Sequence, residues 1–405
     1  MEIVLFDDDK ISNFYPLTFT RILGDLRCGI LKNRQRILAY LNSDKFVYVM
    51  DSSLLDLYKE KHPSWQINEV TKGETLFVNS RIKITKELSD MLLSLDKGGS
   101  LSYNSNIVGF KIDINKKQYI DYPSIKILFQ SLSHSHLSIN PFWNYTWDFI
   151  AQNHNQIIED YQDFFYEKDN AIQTELGVSV INPYEVWIGE GTTIKPGVVL
   201  DATTGPIIID EDVSIMANAV IEGPVYIGKK TKIKIGAKIY EGTSIGPICK
   251  VGGEIEETII QGYSNKQHDG FLGHSFLGEW VNLGADTNNS DLKNNYKNVK
   301  MHCYAQNKQI NTNCQFVGCV IGDHSKTGIN VSINTGTVIG IGCNLFGSEL
   351  FSGFVSDFSW GKADSIIPYK IDKFFETVVA VKERRNLTLL DSEKVLYNKL
   401  SQKSM

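Results

Sequence analysis

No stretch of about 18 uninterrupted apolar residues occurs in this chain, so no apolar membrane-spanning helix is expected. Excess basic charge is missing too. The 41 Lys and Arg against 47 Asp and Glu leave a formal net charge of −6, which argues against nucleic acid or an anionic membrane as a main partner. MEIVLFDDDK opens with acids where a secretory signal would place basic residues before a long apolar run. Cysteine is sparse and scattered (28, 249, 303, 314, 319 and 343) with no CxxC pair, so reduced thiols and a cytoplasmic location are expected.

What the chain does have is a spacing of six. From Ile209 the aliphatic positions fall at Ile215, Ile221, Ile227, Ile233, Ile239 and Ile245 without a slip. Ile188, Ile194 and Leu200 lead into the run, and Ile321, Ile333, Ile339 and Leu345 resume it. Six is neither the period of a helix nor that of a lone strand. Three hexads make one turn of a parallel β-helix, so residues about 18 apart stack and each coil buries its apolar face against the next. The pattern resembles the hexapeptide-repeat family of left-handed β-helices, and the handedness is an implication of that resemblance. Members include acyl-CoA-dependent acyltransferases that work as trimers and γ-class carbonic anhydrases. The repeat therefore implies an architecture and not a reaction.

At 405 residues, with 42% hydrophobic and 22% charged residues, the chain is globular and too long for one ordinary domain. Residues 1–143 read as an α/β unit. EIVLF, FVYVM and ETLFVNSRIKI have strand character, while ILKNRQRILAYLN and KELSDMLLSL have helical spacing. That alternation suggests a doubly wound, Rossmann-like sheet. A helical connector is expected over 144–177, the β-helix over 178–368, and a charged helical tail over 369–405 that packs on the last coils or a neighbouring subunit.

The stretch FYPLTFTRILGDLRCGI follows the first strand. Its PLT resembles the start of sugar-1-phosphate nucleotidyltransferases, which place a GxGTR loop before it to cradle a nucleoside triphosphate. Here that loop reads DDDKISNF, without the glycines that let backbone approach phosphates, and Asp7, Asp8 and Asp9 would repel them. The family's Gly-Asp pair for Mg²⁺ is also missing, the nearest match being FVNSR with Asn79 and Arg81. Arg21 and Arg27 are the candidates to replace the lost nucleotide contacts, or else they bridge to Asp7, Asp8 or Asp25. Mg²⁺ is expected only if this domain transfers nucleotides.

A second stretch follows Ile245. HDGFLGHSFLGEWVNLGADT matches without a gap the HLxYLGDAEIG and VNIGAGT motifs of the bifunctional glucosamine-1-phosphate N-acetyltransferase/N-acetylglucosamine-1-phosphate uridylyltransferase family. Its five-residue step from Leu272 to Leu277, then six to Leu283, recurs as well. The resemblance implies that His268 is the catalytic base and that Asn282 and Lys297 bind substrate. Phe271 takes the place of a substrate-contacting tyrosine, and Asp286 replaces a glycine near acetyl-CoA. Upstream, KIGAKIYEG resembles RPGAxLxEG, which puts Lys234 where an arginine grips the sugar phosphate. Lys250 stands in for a further family lysine, because this chain is longer between Gly246 and His268. The long interruption over 246–271 reads as an arm reaching across to a neighbouring helix.

The chemistry asks for this set independently. Acyl transfer from a thioester to an amino sugar needs a base near neutral pH, which imidazole supplies. Lys234, Lys250 and Lys297 supply cations for a phosphate, and the Gly284–Ala285 turn can present N–H donors to a tetrahedral intermediate. No cysteine or serine stands beside the histidine, so direct attack is expected. The bland alternatives are a surface histidine at 268, an asparagine ladder at Asn282, and solvated loop residues elsewhere. The expected function is acetyl-CoA-dependent acetyl transfer to an amino sugar or sugar phosphate by a homotrimer. The alternatives are a working nucleotidyltransferase, a non-catalytic trimeric scaffold, and a metal site from His268, His274 and His324. No metal is expected on the leading reading.

Overall fold

The apolar run EIVLF forms strand β1 (Glu2–Phe6), in which Val4, Leu5 and Phe6 have no exposed surface. A strand apolar on both faces belongs inside a covered parallel sheet. In the computed structural model, which describes residues 1–168, 170 and 174–403, β1 pairs in parallel with β2 (Val47–Val49) and β4 (Gly73–Asn79). With β3 (Gln66–Ile67), β5 (Gly99–Tyr103), β6 (Asn106–Ile114) and β7 (Ser133–His136), the sheet runs β3-β2-β1-β4-β6-β5-β7. Helices α1 (Asn33–Tyr40), α2 (Ser52–Lys61), α3 (Lys86–Leu93) and α4 (Tyr122–Gln130) cover it. The β5–β6 hairpin is antiparallel and breaks the strand–helix alternation read in the sequence.

The hexads form a parallel β-helix with flat faces. Its first face opens with Ser179–Ile181, its second with Val186–Ile188 and its third with Thr193–Ile194. Ile209, Ile227 and Ile245 stack in register on the second face, as do Ile215 and Ile233 on the third and Ile221 and Ile239 on the first. Each of these is essentially unexposed. Fully burying one such side chain is worth about 1.5–3 kcal/mol.

The three faces differ outside. On the second face the outward row includes Ile208, Tyr226, Ile259, Phe276, Val320 and Val338, all buried. The N-terminal unit covers that row. Helix α5 (Thr146–Phe164) lays Phe149, Ile150, Ile157 and Tyr161 against it, joined by Phe14, Leu17 and Leu26. Polar bonds fix the register, with Asn153 Nδ2 donating to Gly242 O at 2.7 Å and Ser244 Oγ to Gly29 O at 2.9 Å.

Residues 246–271 do not form an arm. They run through Lys250–Val251, Glu254–Glu256, Ile259–Ile260 and Asn265–Lys266, each in register with the coils on either side. Shortened hexads keep Val251, Ile255 and Ile260 inward, so the coil tightens without leaving the stack. The excursion comes later, between Asn288–Asn289 and Cys319–Ile321. It carries the hairpin Lys300–Cys303/Lys308–Asn311, and its Met301 and Tyr304 pack back on the N-terminal unit of the same chain.

Helix α6 (Ile371–Glu383) sets Phe374 and Val378 on Ile341 and Phe358 of the last coils. Helix α7 (Asp391–Lys403) inserts Leu396 beside Leu54, Leu57 and Tyr58 of α2, so the tail brackets both units. Among the described residues, no helix is long and apolar enough to cross a membrane.

Candidate functional site

In open α/β sheets ligands bind beyond the carboxyl ends of the strands, where the order reverses. Here that point lies between β1 and β4, and charged side chains already fill it. Asp8, after β1, takes Arg81 Nη2 at 2.8 Å and Asn79 Nδ2 at 2.9 Å, both from the end of β4. Asp7 accepts from Tyr48 OH at 2.7 Å and from Ser80 Oγ. All of these groups are buried. The FVNSR segment thus binds the aspartates that follow β1.

Burial pushes the Asp7 carboxyl up to about 7, against the lowering effect of the Ser80 and Tyr48 hydrogen bonds. Asp357, half-buried near the last coils, is raised to about 6 chiefly by desolvation as well. A carboxyl whose folded pKa is raised holds its proton more tightly in the folded state. Stability therefore falls as pH climbs from the unfolded value near ~4 through about 7. We expect Tm to decline between pH 5 and 8, and Asp7→Asn to flatten that decline. Parallel Tm–pH curves for the two proteins would show that Asp7 ionises without penalty.

Arg21 and Arg27 lie inside the interface between the two units, 4% and 6% exposed. Arg21 pairs with Asp323 and, at 3.5 Å, with Glu279, both on the β-helix. Arg27 lies 4.8 Å over the Tyr226 ring and donates to Ile30 O. Asp25 turns instead to Arg34 at 2.8 Å and Lys32 at 3.2 Å. In this conformation neither arginine presents its guanidinium to solvent.

The β-helix residues gather at one edge, the corner where the third face turns into the first. His268 lies in the turn between Asn265–Lys266 and Phe271–Gly273 and is exposed. No described side chain bonds its ring. Lys234 occupies the same corner two coils below, and a Cβ added at the intervening Gly252 would lie 2.9 Å from Lys234 Cβ. On the third face, Lys232, Lys250, Asn265, Asn282 and Lys326 form one outward row in register. Lys250 is lowered by burial and then by Arg385, Lys232, Arg384 and Lys234, so cations surround it. Asn282 is in an asparagine ladder, but outside the coil: its Oδ1 accepts from Asn265 Nδ2 at 3.3 Å, and Arg385, in the turn after α6, reaches Asn265 at 3.1 Å.

Phe271 opens the first-face strand, its N–H donating to Asn288 Oδ1 at 2.8 Å and its ring lying over Gly273. The Gly284–Ala285 turn stacks one coil above Gln267–His268, as the Asn265–Asn282 and Lys266–Leu283 register requires. Gly284 N–H is already donated to Thr327 Oγ1 at 3.0 Å, which leaves Ala285 N–H as the unbonded donor of the turn among the described residues. Lys297 sits apart, exposed on the later excursion, and bonds none of the others.

The three histidines of the metal alternative are on three different corners. His274 follows the first face, with Nδ1 2.9 Å from Asp291 and its ring on Phe316. His324 follows the second face, buried among Trp280, Phe374 and Tyr397, with neither ring nitrogen bonded. They cannot converge on one ion with His268.

Residues missed in the sequence are Lys266, Asn265 and Arg385. Lys266 left a visible signal, because it falls on the six-residue step between Ile260 and Leu272. Arg385 left none, since only the packing of α6 brings it to the row.

Residues 3–168 match a family model described as sugar nucleotidyl transferase. The chain is 35% identical over 138 residues to a bifunctional sugar-1-phosphate nucleotidylyltransferase/acetyltransferase of Sulfurisphaera tokodaii, covering 34% of each. It is 27% identical over 184 residues to the bifunctional protein GlmU of Synechococcus elongatus, covering 40% of this chain and 36% of that one. The alignments thus span about a third of the length of these curated relatives. A solved UDP-N-acetylglucosamine acyltransferase aligns with 58% of this chain and 87% of its own at 15% identity, with a TM-score of 0.31. Over residues 3–168 the N-terminal unit thus resembles a sugar nucleotidyl transferase domain, and in this chain a parallel β-helix follows it.

Proposed function

We propose that this protein transfers an acetyl group from acetyl-CoA to an amino sugar or sugar phosphate, with His268 as general base. One observation carries the reading: an exposed, unbonded imidazole lies at the same corner as Lys234, beside the outward row that holds Lys250 and the neutral Asn282, one coil below a free Ala285 N–H. His268 takes the proton from the acceptor amine as that nitrogen attacks the thioester carbonyl. The resulting oxyanion is met by Ala285 N–H, and the C–S bond breaks to release the CoA thiolate, which recovers a proton. Lys234, Lys250, Asn282 and, from its excursion, Lys297 hold the acceptor, and Phe271 supplies an apolar wall for it. Ala285 and the turn before it, Gly284, face the acyl donor. The names of the relatives agree with this class of chemistry.

The test is incubation with acetyl-CoA and a panel of amino-sugar phosphates, following free thiol. Release that depends on the acceptor supports the proposal, and no release with any acceptor favours the scaffold reading. In the N-terminal crevice Arg81 is already paired with the buried Asp8, and no glycine loop follows β1 to approach phosphates. The same preparation should therefore release no pyrophosphate from nucleoside triphosphates, sugar 1-phosphates and Mg²⁺.

We also propose a homotrimer. Ile235 and Ile329 stand on the His268 edge, below and above it, and are 63% and 66% exposed. The second face is already occupied by the chain's own N-terminal unit, so a second copy would dock along this edge and close the site. Closed cyclic symmetry is the usual outcome of such contacts. A monomer by light scattering at micromolar concentration would overturn it.

A further inference from the structure

The inner row of the third face reads Ile194, Ile215, Ile233, Val251, Lys266 and Leu283 in register. A lysine stands among aliphatic neighbours and is 1% exposed. Burying an ammonium in an apolar stack is costly unless its protons are bonded. The stem follows the ladder, and the amine turns out at the corner to donate to the carbonyl of His268. Gly253 marks its passage. At φ +77°, a Cβ there would lie 2.7 Å from both Lys266 Nζ and the His268 carbonyl oxygen, so any side chain would block the exit. Across the turn, a Cβ on Gly270 would meet Thr287 O at 2.3 Å.

We propose that Lys266 is a positioning residue for His268: its amine pins the turn 267–270 and so fixes the direction of the imidazole. Only the kinetic arm of the test rests on the acetyl-transfer reading. Burial, the largest effect, lowers the amine to about 8, while Asp269 and Asp286 favour its charged form and Lys238 opposes it. The charged bond to His268 is therefore present below about pH 8 and weakens as pH rises through that value.

Lys266→Met in the full chain is the test, because an unbranched apolar stem fills the ladder. Turnover should fall about 10–100-fold, the usual effect of a misdirected catalytic group, with KM for acetyl-CoA unchanged. The alkaline fall in rate near pH 8 should vanish while Tm does not drop. A separate readout needs no turnover. The His268 ring C–H resonance, assigned by its loss in His268→Ala, should show an inflection near pH 8 that Lys266→Met removes. An inflection that survives Lys266→Met, or unchanged turnover with the alkaline limb intact, overturns the proposal. If the inflection disappears but wild type acetylates no acceptor, the functional reading fails and the positioning role stands. Should the methionine variant not fold, Lys266→Leu, matching Leu283 one coil above, serves instead.

Discussion

His268→Ala is expected to lower acetyl-transfer turnover by about 10²–10⁴-fold, the usual contribution of a positioned base. KM for acetyl-CoA should barely change, because the imidazole meets the acceptor nitrogen and not the thioester arm. Lys234→Ala and Asn282→Ala should act differently. They remove groups that hold the acceptor in ground and transition state alike, so the acceptor's KM rises while turnover is largely kept. Tm should not move in His268→Ala, since the ring is exposed and bonds nothing, whereas the ladder that holds the coils is untouched. Steady-state kinetics on all three variants decides the matter. Full activity in His268→Ala would place the base elsewhere, and His274, oriented by Asp291, would be next to replace.

Arg21→Met should produce the largest loss of stability. Arg21 is 4% exposed and is the cation between Asp323 and Glu279, with Thr20 Oγ1 also donating to Asp323 at 2.7 Å. Its charged form is held more firmly than usual by those two carboxylates, despite burial. Removing it strands the buried Asp323 carboxylate beside the partly exposed Glu279, which costs about 3–5 kcal/mol. Because the pair joins the N-terminal unit to the β-helix, unfolding should also split into two transitions in calorimetry. An unchanged single transition would mean that the apolar contacts of Phe14, Leu17, Phe276 and Val320 hold the interface alone. Double replacement with Asp323→Leu should recover part of the loss, since the apolar pair leaves less charge unmatched.

How far the sequence could be read varies along the chain. The ladder was legible because its period is local: Ile209, Ile227 and Ile245 lie 18 apart and stack as counted. The gapless stretch from His268 to Thr287 was legible for the same reason, as the five-residue step to Leu277 is a real shortening of one coil. Residues 246–271 misled, because shortened hexads lose their visible period while each still buries Val251, Ile255 and Ile260. The β5–β6 hairpin was missed since GSLSYNSNIVGFKIDI carries little periodic signal around its turn.

Sequence alone therefore determined the β-helix and its coil register outside 246–271, and a motif resemblance named His268 and its lysines as candidates. Period and motif are properties of nearby residues, and stacking only repeats them. Tertiary structure decided everything that depends on residues far apart in the chain. It turned Arg21 toward Asp323, closed the crevice after β1 with Asp8 and Arg81, and brought Arg385 to Asn265. It also set His268, His274 and His324 on separate corners, and it gave one face an apolar outer row that the N-terminal unit covers. Charge pairing and face covering are settled by which surfaces meet, and no local spacing encodes that.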